Sequence, residues 1–156
     1  MDLNFPYSIT TAEVSETETV GKALATLLSE DGSIPRFVAM YGDLGVGKTA
    51  FVRGFSSVLC PASTVKSPTF ALVNEYKCPS APGGIKKVYH FDMYRIADED
   101  DLYSIGFYDY LRPDAVCIAE WCEMIPYALP DEYVKVSIAK TGDGDSRRVD
   151  ITLIGA

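Results

Sequence analysis

The stretch Gly42-Asp43-Leu44-Gly45-Val46-Gly47-Lys48-Thr49 matches the phosphate-binding pattern G-x-x-x-x-G-K-[ST]. The apolar run 36–41 precedes it, and residues 50–55 after it can continue as a helix. A strand, a glycine-rich loop and a helix in this order form the context that the pattern requires. The stretch therefore predicts an α/β fold that binds a nucleotide.

Each position of this loop has a chemical reason. The glycines allow positive φ angles and a close approach, so that successive N–H groups can converge on phosphate oxygens. Lys48 adds a positive charge, and the first N–H groups of the following helix face the same anion. The Thr49 hydroxyl suits Mg²⁺, which prefers oxygen ligands and shares them with substrate phosphates.

Composition limits the class of protein. With 156 residues, 47% of them hydrophobic and 23% charged, the chain is expected to form one globular domain over residues 1–156. No apolar run approaches the ~18 residues of a membrane span and no signal peptide is recognisable, so we expect a cytoplasmic protein without a membrane partner. The net charge of −8 disfavours direct binding of DNA or RNA, so that any role near RNA would run through partner proteins.

The four cysteines contain no C-x-x-C pair, and the chain has one histidine. This spacing disfavours a zinc site and predicts free, reduced thiols. Cys117 lies in an apolar run and is expected to be buried.

Turn residues divide the chain into short elements. A capping box at Ser15 predicts a helix over 16–30, and the acidic run 98–101 predicts another helix start. The predicted strands are 36–41, 69–77, 86–94, 115–119, 133–139 and 147–154, with hairpins joining the second to the third and the last two. Together these elements predict a P-loop NTPase-like three-layer domain with a central mixed β-sheet.

Two carboxylates compete for the second half of the nucleotide site. Glu120 ends the continuous apolar run 115–119, which is typical of a central strand, whereas Asp92 ends the strand 86–94. Either can coordinate a metal ion while the other orients a water molecule. The residues alone leave these two roles exchangeable.

Four further features have both a functional and a structural interpretation. His90 shares a strand face with Asp92, and we favour a hydrogen bond from it that orients Asp92 or the adjacent loop. Arg95 can neutralise phosphate charge or pair with a carboxylate. The run Lys66-Ser67-Pro68-Thr69 is either a switch-like loop or a simple strand entry, and Trp121 can line the cleft or pack in the core.

Four linked motifs now make a family recognisable: residues 42–49, Ser67-Pro68-Thr69-Phe70, His90-Phe91-Asp92-Met93-Tyr94-Arg95, and Glu120-Trp121. In this order and spacing the chain resembles the bacterial TsaE (YjeE) family, the ATPase component of tRNA threonylcarbamoyladenosine (t6A) biosynthesis. The likeness covers almost the whole chain, including the region around Thr17.

The resemblance implies a protein that binds ATP and Mg²⁺ and acts with TsaD and TsaB, which transfer the threonylcarbamoyl group to adenosine 37 of tRNA. It implies Thr49 and Glu120 as Mg²⁺ ligands, with Asp92 supporting the metal or the attacking water. Lys48 would complete the catalytic set. Thr17, Thr69 and Trp121 would contribute to nucleotide binding.

One position departs from the family, because Cys122 stands where a proline commonly follows the Glu-Trp pair. This departure bears on the loop after Glu120 and removes no proposed ligand.

Two alternative functions use the same phosphate loop: a small-molecule kinase, and an interaction module that binds ATP without hydrolysing it. A GTPase ranks lower, because the sequence contains neither N-K-x-D nor D-x-x-G.

Overall fold

The strand that feeds the phosphate loop lies inside the sheet. The computed structural model describes residues 3–43, 45–68, 72–142 and 144–155. The strands are β1 (Tyr7–Thr11), β2 (Phe37–Tyr41), β3 (Val73–Lys77), β4 (Lys87–Asp92), β5 (Ala115–Glu120), β6 (Tyr133–Lys140) and β7 (Arg147–Ile154). The α-helices are α1 (Val14–Glu30), α2 (Lys48–Leu59) and α3 (Glu99–Ser104), and short 3₁₀ helices cover Phe107–Tyr110 and Cys122–Met124.

In the described residues the strands form one seven-stranded sheet in the order β1-β7-β6-β2-β5-β4-β3. β2 runs parallel to both of its neighbours, β5 and β6, and β4 runs parallel to β5. The pairs β3–β4, β6–β7 and β1–β7 are antiparallel. The sheet is therefore mixed, and both predicted hairpins are confirmed.

Alternation along the central strands builds one core on each face of the sheet. Val38 and Met40 of β2 pack into the core under α1 and α2, whereas Phe37 and Ala39 face the second core under α3 and the 3₁₀ helices. β5 is buried along its whole length, as its apolar run predicts. Burying a large side chain contributes about 1.5–3 kcal/mol, so these two cores hold the three layers together. The predicted fold class is confirmed.

Helices α1 and α2 approach each other at two glycines. A Cβ atom at Gly54 would fall on the backbone of Glu18, and one at Gly21 would fall on the carbonyl oxygen of Phe51. Because no side chain separates the two backbones at these points, α2 is held firmly against α1. The position of α2 matters because this helix begins at the phosphate loop.

One local prediction is wrong, and one strand was not predicted. α1 begins at Val14 after Glu13, with no side-chain cap, so Ser15 lies inside the helix and forms no capping box. Glu16 stabilises the start instead, because its carboxylate accepts a hydrogen bond from the N–H of Ala12 at 2.5 Å. β1 was not predicted because this edge strand is only five residues long and its large apolar side chains are limited to Tyr7 and Ile9.

The cysteine prediction needs a correction as well. Cys60 and Cys78 form a disulfide that connects the end of α2 to the residue after β3. Spacing rules look for cysteines that are close in sequence, whereas these two are 18 residues apart and meet through packing. Cys117 and Cys122 are free and buried, as expected for Cys117.

Among the helices of the described segments, none combines the length and apolarity that crossing a bilayer requires.

Candidate functional site

The phosphate-loop sequence connects the end of β2 to the first residue of α2. Gly42, Gly45 and Gly47 have φ angles of 144°, 75° and 102°, which other residues rarely adopt. Gly47 caps α2 in the left-handed conformation, so the unpaired N–H groups of the first helical turn border the loop. Backbone N–H groups at the start of a helix favour an anion, so phosphate binding by this loop stays a prediction. Leu44 lies outside the described residues.

Lys48 is held at the base of this site. The side chain is 5% exposed, and its Nζ donates hydrogen bonds to the carbonyl oxygens of Gly42 and, at 3.1 Å, of Asp43. Nζ also lies 4.0 Å from the centroid of the Trp121 ring. Burial lowers the pKa of Lys48, although the nearby carboxylates of Glu120 and Glu123 oppose this shift. An anionic ligand would offset the cost of this desolvation by direct charge attraction.

The two candidate carboxylates lie side by side. Asp92 pairs in register with Glu120 at the ends of the parallel strands β4 and β5. Asp92 is half-buried, and its Oδ1 accepts a hydrogen bond from the N–H of Tyr94 at 3.0 Å. Burial raises the pKa of Asp92, and the charge of Glu120 raises it further. The site thus holds negative charge that a cation would neutralise.

Glu120 is positioned by a buried histidine. His90 is fully buried, and its Nε2 lies 2.5 Å from Oε2 of Glu120. On the other side of the ring, Nδ1 lies 2.9 Å from the hydroxyl oxygen of Tyr76. The first partner that the sequence suggested, Asp92, is wrong. His90 pairs in register with Ile118, and its ring reaches Glu120, which lies two residues further along β5 on the same face. Tyr76 was missed, and the need of a buried histidine for a second partner is the signal that could have found it.

A cleft of about 490 Å³ brings most of the predicted residues together. Its walls combine the second half of the loop with both carboxylates and three aromatic or cationic side chains. They are Gly45, Val46, Gly47, Lys48, Thr49, Ser67, Pro68, Leu72, Asp92, Tyr94, Arg95, Glu120 and Trp121. The hydroxyl oxygens of Thr49 and Ser67 lie 3.0 Å apart, so the predicted switch-like run touches the phosphate loop at Ser67.

Some predicted residues lie elsewhere. Gly42 and Asp43 border a neighbouring pocket beside Ile138, and the N–H of Gly42 donates to Oε2 of Glu123 at 2.9 Å. Thr17 is buried in α1, where its hydroxyl pairs with that of Thr11 at 2.9 Å, and it is not among the cleft residues. Its role in nucleotide binding stays a prediction. Thr69 lies outside the described residues.

Trp121 turns the chain at the end of β5. It has a φ of 60°, and its ring lies 4.8 Å from that of Tyr94, centroid to centroid. Cys122, at the position of the family's usual proline, is fully buried, and its thiol donates to the carbonyl oxygen of Ala119 at 3.2 Å. Burial raises the pKa of Cys122, so this thiol stays protonated and structural. The turn after Glu120 thus places the Trp121 ring over the Lys48 ammonium group. It does so although cysteine stands where the family commonly has proline.

The oxygen donors of the cleft can be tested against a metal ion. Within the described ranges, no group of three or more His, Cys, Asp and Glu side chains is suited to hold one. Mg²⁺ does not need such a group, because it is usually bound by one or two carboxylates together with substrate phosphates and water. The Thr49 hydroxyl and the carboxylates of Asp92 and Glu120 are hard oxygen ligands in one cleft, so they fit a magnesium ion that arrives with a nucleotide.

These features define a three-layer α/β protein with a phosphate-loop sequence and paired strand-end carboxylates at the carboxyl edge of its sheet. The chain belongs to the TsaE family, since the model of the threonylcarbamoyl adenosine biosynthesis protein TsaE matches residues 11–149. It is 34% identical to the tRNA threonylcarbamoyladenosine biosynthesis protein TsaE of Bacillus subtilis over 145 residues, which cover 93% of this chain and 84% of that protein. The protein of the same name from Rickettsia bellii is 36% identical over 138 residues, 88% of each chain.

The fold agrees with this assignment. The crystal structure of Bacillus subtilis YdiB superposes with a TM-score of 0.68 and 26% sequence identity, covering 100% of this chain and 90% of that one. The family is therefore shown by sequence, and the mixed sheet is shared with a solved structure.

Proposed function

We propose that this chain binds and hydrolyses ATP with Mg²⁺ and thereby supports the threonylcarbamoylation of adenosine 37 in tRNA by a TsaD–TsaB complex. One observation carries the proposal: Lys48 and Thr49 of the phosphate loop line the same cleft as Asp92 and Glu120. Membership of a t6A biosynthesis family supplies the pathway in which such a site would act.

The residues divide the work between binding and chemistry. The glycine-rich backbone and the N-terminal N–H groups of α2 would cradle the phosphates, and Lys48 would exchange its carbonyl partners for phosphate oxygens. Thr49 and Glu120 would hold Mg²⁺, which when bound neutralises charge that develops on the phosphates. Asp92 would hold a metal-bound water or accept the proton of the attacking water.

Two more side chains complete the cleft. Trp121, which already lies over the Lys48 ammonium group, would shield the phosphate side of the cleft from water. Arg95 is exposed at the cleft wall and forms no ion pair within the described part of the chain. Its guanidinium is thus available to phosphate charge in the transition state.

Nucleotide binding can be measured without a label, because Trp121 is the one tryptophan of the chain. We expect ATP to change its fluorescence, and Lys48→Ala to weaken ATP binding by at least about tenfold, since one strong charge-assisted contact is lost. Lys22→Ala removes an exposed lysine from α1 and serves as the matched control. Equal ATP affinity in the Lys48 and Lys22 variants would contradict the site.

The pathway is tested by reconstitution with TsaD, TsaB, tRNA and the substrates of the transfer. We expect modified adenosine and ATP hydrolysis to depend on this chain, and Lys48→Ala to abolish the dependence. Formation of t6A at the same rate without this chain would reject the proposal. Sustained turnover with a non-hydrolysable ATP analogue would instead assign the chain to the class of interaction modules.

A further inference from the structure

Hydrogen bonds behind the cleft connect the two residues that we assign to the metal ion. At one end, the Thr49 hydroxyl lies 3.0 Å from that of Ser67. The preceding residue, Lys66, contacts the Tyr76 hydroxyl through both of its backbone groups, with the N–H at 3.3 Å and the carbonyl oxygen at 3.1 Å. Tyr76 in turn contacts His90, which contacts Glu120. The connection passes through the short segment 66–68.

The donors available limit the directions of these hydrogen bonds. An ionised carboxylate only accepts, so Nε2 of His90 carries the proton that is shared with Glu120. The Tyr76 hydroxyl carries one proton, which it can donate to the carbonyl oxygen of Lys66 at 3.1 Å or to an unprotonated Nδ1 of His90 at 2.9 Å. The Tyr76 oxygen also accepts from the N–H of Lys66. Tyr76 therefore joins Lys66 to His90 whichever of the two acceptors takes its proton.

The connection is shielded from water over its central part. His90 is fully buried, Tyr76 is 4% exposed and Glu120 is 5% exposed. Losing one partner inside such a network leaves a buried polar group unsatisfied, so the partners hold one another in a fixed geometry. A displacement of segment 66–68 therefore changes the support of the Glu120 carboxylate.

We propose that Tyr76 and His90 are positioning residues that couple segment 66–68 to Glu120. This inference rests on the proposed function for its catalytic consequence. Thr49 and segment 66–68 contact what occupies the cleft. The Tyr76–His90 pair couples the position of that segment to the position of the carboxylate that would bind Mg²⁺. Phosphate binding by Lys48 stays independent of the pair, because the Lys48 ammonium group contacts neither residue.

The coupling itself is tested without nucleotide, metal or partners. The backbone N–H resonance of Lys66 is measured in the wild type, in Glu120→Gln, in Tyr76→Phe and in the double variant. We expect Glu120→Gln to shift the Lys66 resonance in the wild-type background and to leave it unchanged in the Tyr76→Phe background. A shift of the same size in both backgrounds would overturn the proposal.

The tautomer gives a second readout that a merely structural role would not produce. The chain contains one histidine, so its ring nitrogens give a single pair of ¹⁵N signals. We expect a protonated Nε2 in the wild type, and a change in the Nδ1 signal in Tyr76→Phe. An Nδ1 signal that is the same in both proteins would contradict the contact between Tyr76 and His90.

The catalytic consequence is tested in the complete reconstituted system. We expect Tyr76→Phe to raise the Mg²⁺ concentration for half-maximal ATP hydrolysis at least about fivefold, with ATP affinity in the absence of Mg²⁺ within about twofold of wild type. Tyr89→Phe removes a hydroxyl from a buried tyrosine that packs in the core on the opposite face and serves as the control. An unchanged Mg²⁺ requirement in Tyr76→Phe would refute the coupling, whereas absent hydrolysis in the wild type would refute the proposed function and leave the resonance test intact.

Discussion

Asp92 and Asp150 show at the residue scale how two aspartates of one fold can differ. Burial and the neighbouring Glu120 raise the pKa of Asp92, so the folded protein binds its proton more tightly than the unfolded chain does. Asp150 on β7 is the opposite case, because hydrogen bonds from Ser8 and Arg148 lower its pKa. The ionised form of Asp92 thus costs stability, and the ionised form of Asp150 contributes to it.

We therefore expect Asp92→Asn to raise the melting temperature of the nucleotide-free protein at pH 7. The raised pKa means that the penalty of ionisation appears as the pH rises from the ordinary aspartate value through the folded pKa, so the gain should vanish near pH 4. Its size should stay below about 1 kcal/mol, because the side chain is only half-buried and solvent screens its charge. Thermal melts at both pH values measure it.

Asp150→Asn is the matched control, and at pH 7 its melting temperature should be lower than or equal to that of the wild type. A lower melting temperature for Asp92→Asn than for wild type at pH 7 would mean that the ionised carboxylate supports the fold. Asp92→Asn should also lose Mg²⁺-dependent hydrolysis in the reconstituted system. A variant that is more stable but inactive would show that this carboxylate is kept for activity and not for stability.

At the scale of elements, the contact between α1 and α2 sets the position of the phosphate loop. Two opposing effects act on Gly54. Replacing a glycine inside a helix by alanine favours the helix by about 1 kcal/mol. A Cβ at this position, however, would overlap the backbone of Glu18, which cannot rotate away as a side chain can. The steric cost should exceed the gain in helix propensity.

We expect Gly54→Ala to lower the free energy of unfolding by about 1–3 kcal/mol, since α1 and α2 must separate to admit the methyl group. Urea denaturation followed by circular dichroism measures the change. Gly32→Ala is the control, because a Cβ there meets no atom within 4 Å and the φ angle is not positive. If Gly54→Ala proved as stable as wild type, the two helices would not be in backbone contact.

For the whole molecule, charge decides how the chain can take part in tRNA modification. A net charge of −8 repels a polyanion. Binding of tRNA by electrostatic capture needs a lysine- or arginine-rich face. The chain should consequently reach tRNA through its partner proteins.

We expect filter binding at physiological salt to show no complex of this chain alone with tRNA at concentrations up to about 100 μM, the upper range of non-specific affinities. Addition of TsaD and TsaB should produce a complex that contains all components. A salt-dependent complex between the isolated chain and tRNA would show that the chain itself presents a cationic face.

Local signals predicted the elements that depend on neighbours in sequence. The glycine pattern at 42–49 and the apolar run at 115–119 identified the loop, α2 and β5, because each requires only a short stretch of chain. The partner of His90 depends on the register between β4 and β5, and the Cys60–Cys78 disulfide depends on how α2 packs beside β3. Neither is encoded in one stretch, so both became visible only in the fold.

The backbone contact at Gly21 and Gly54 has a mechanical consequence for the cleft. It makes the wall formed by α2 stiff, whereas Ser67, Pro68, Tyr94 and Trp121 on the facing wall lie outside helices and strands. Segments without a hydrogen-bond ladder deform at a lower free-energy cost than packed helices. In the proposed nucleotide site, a small molecule bound against this softer wall would hold the protein in one nucleotide state, while one bound on the wall formed by α2 would only compete with the phosphates. The two kinds of inhibitor would therefore differ in whether excess ATP reverses them.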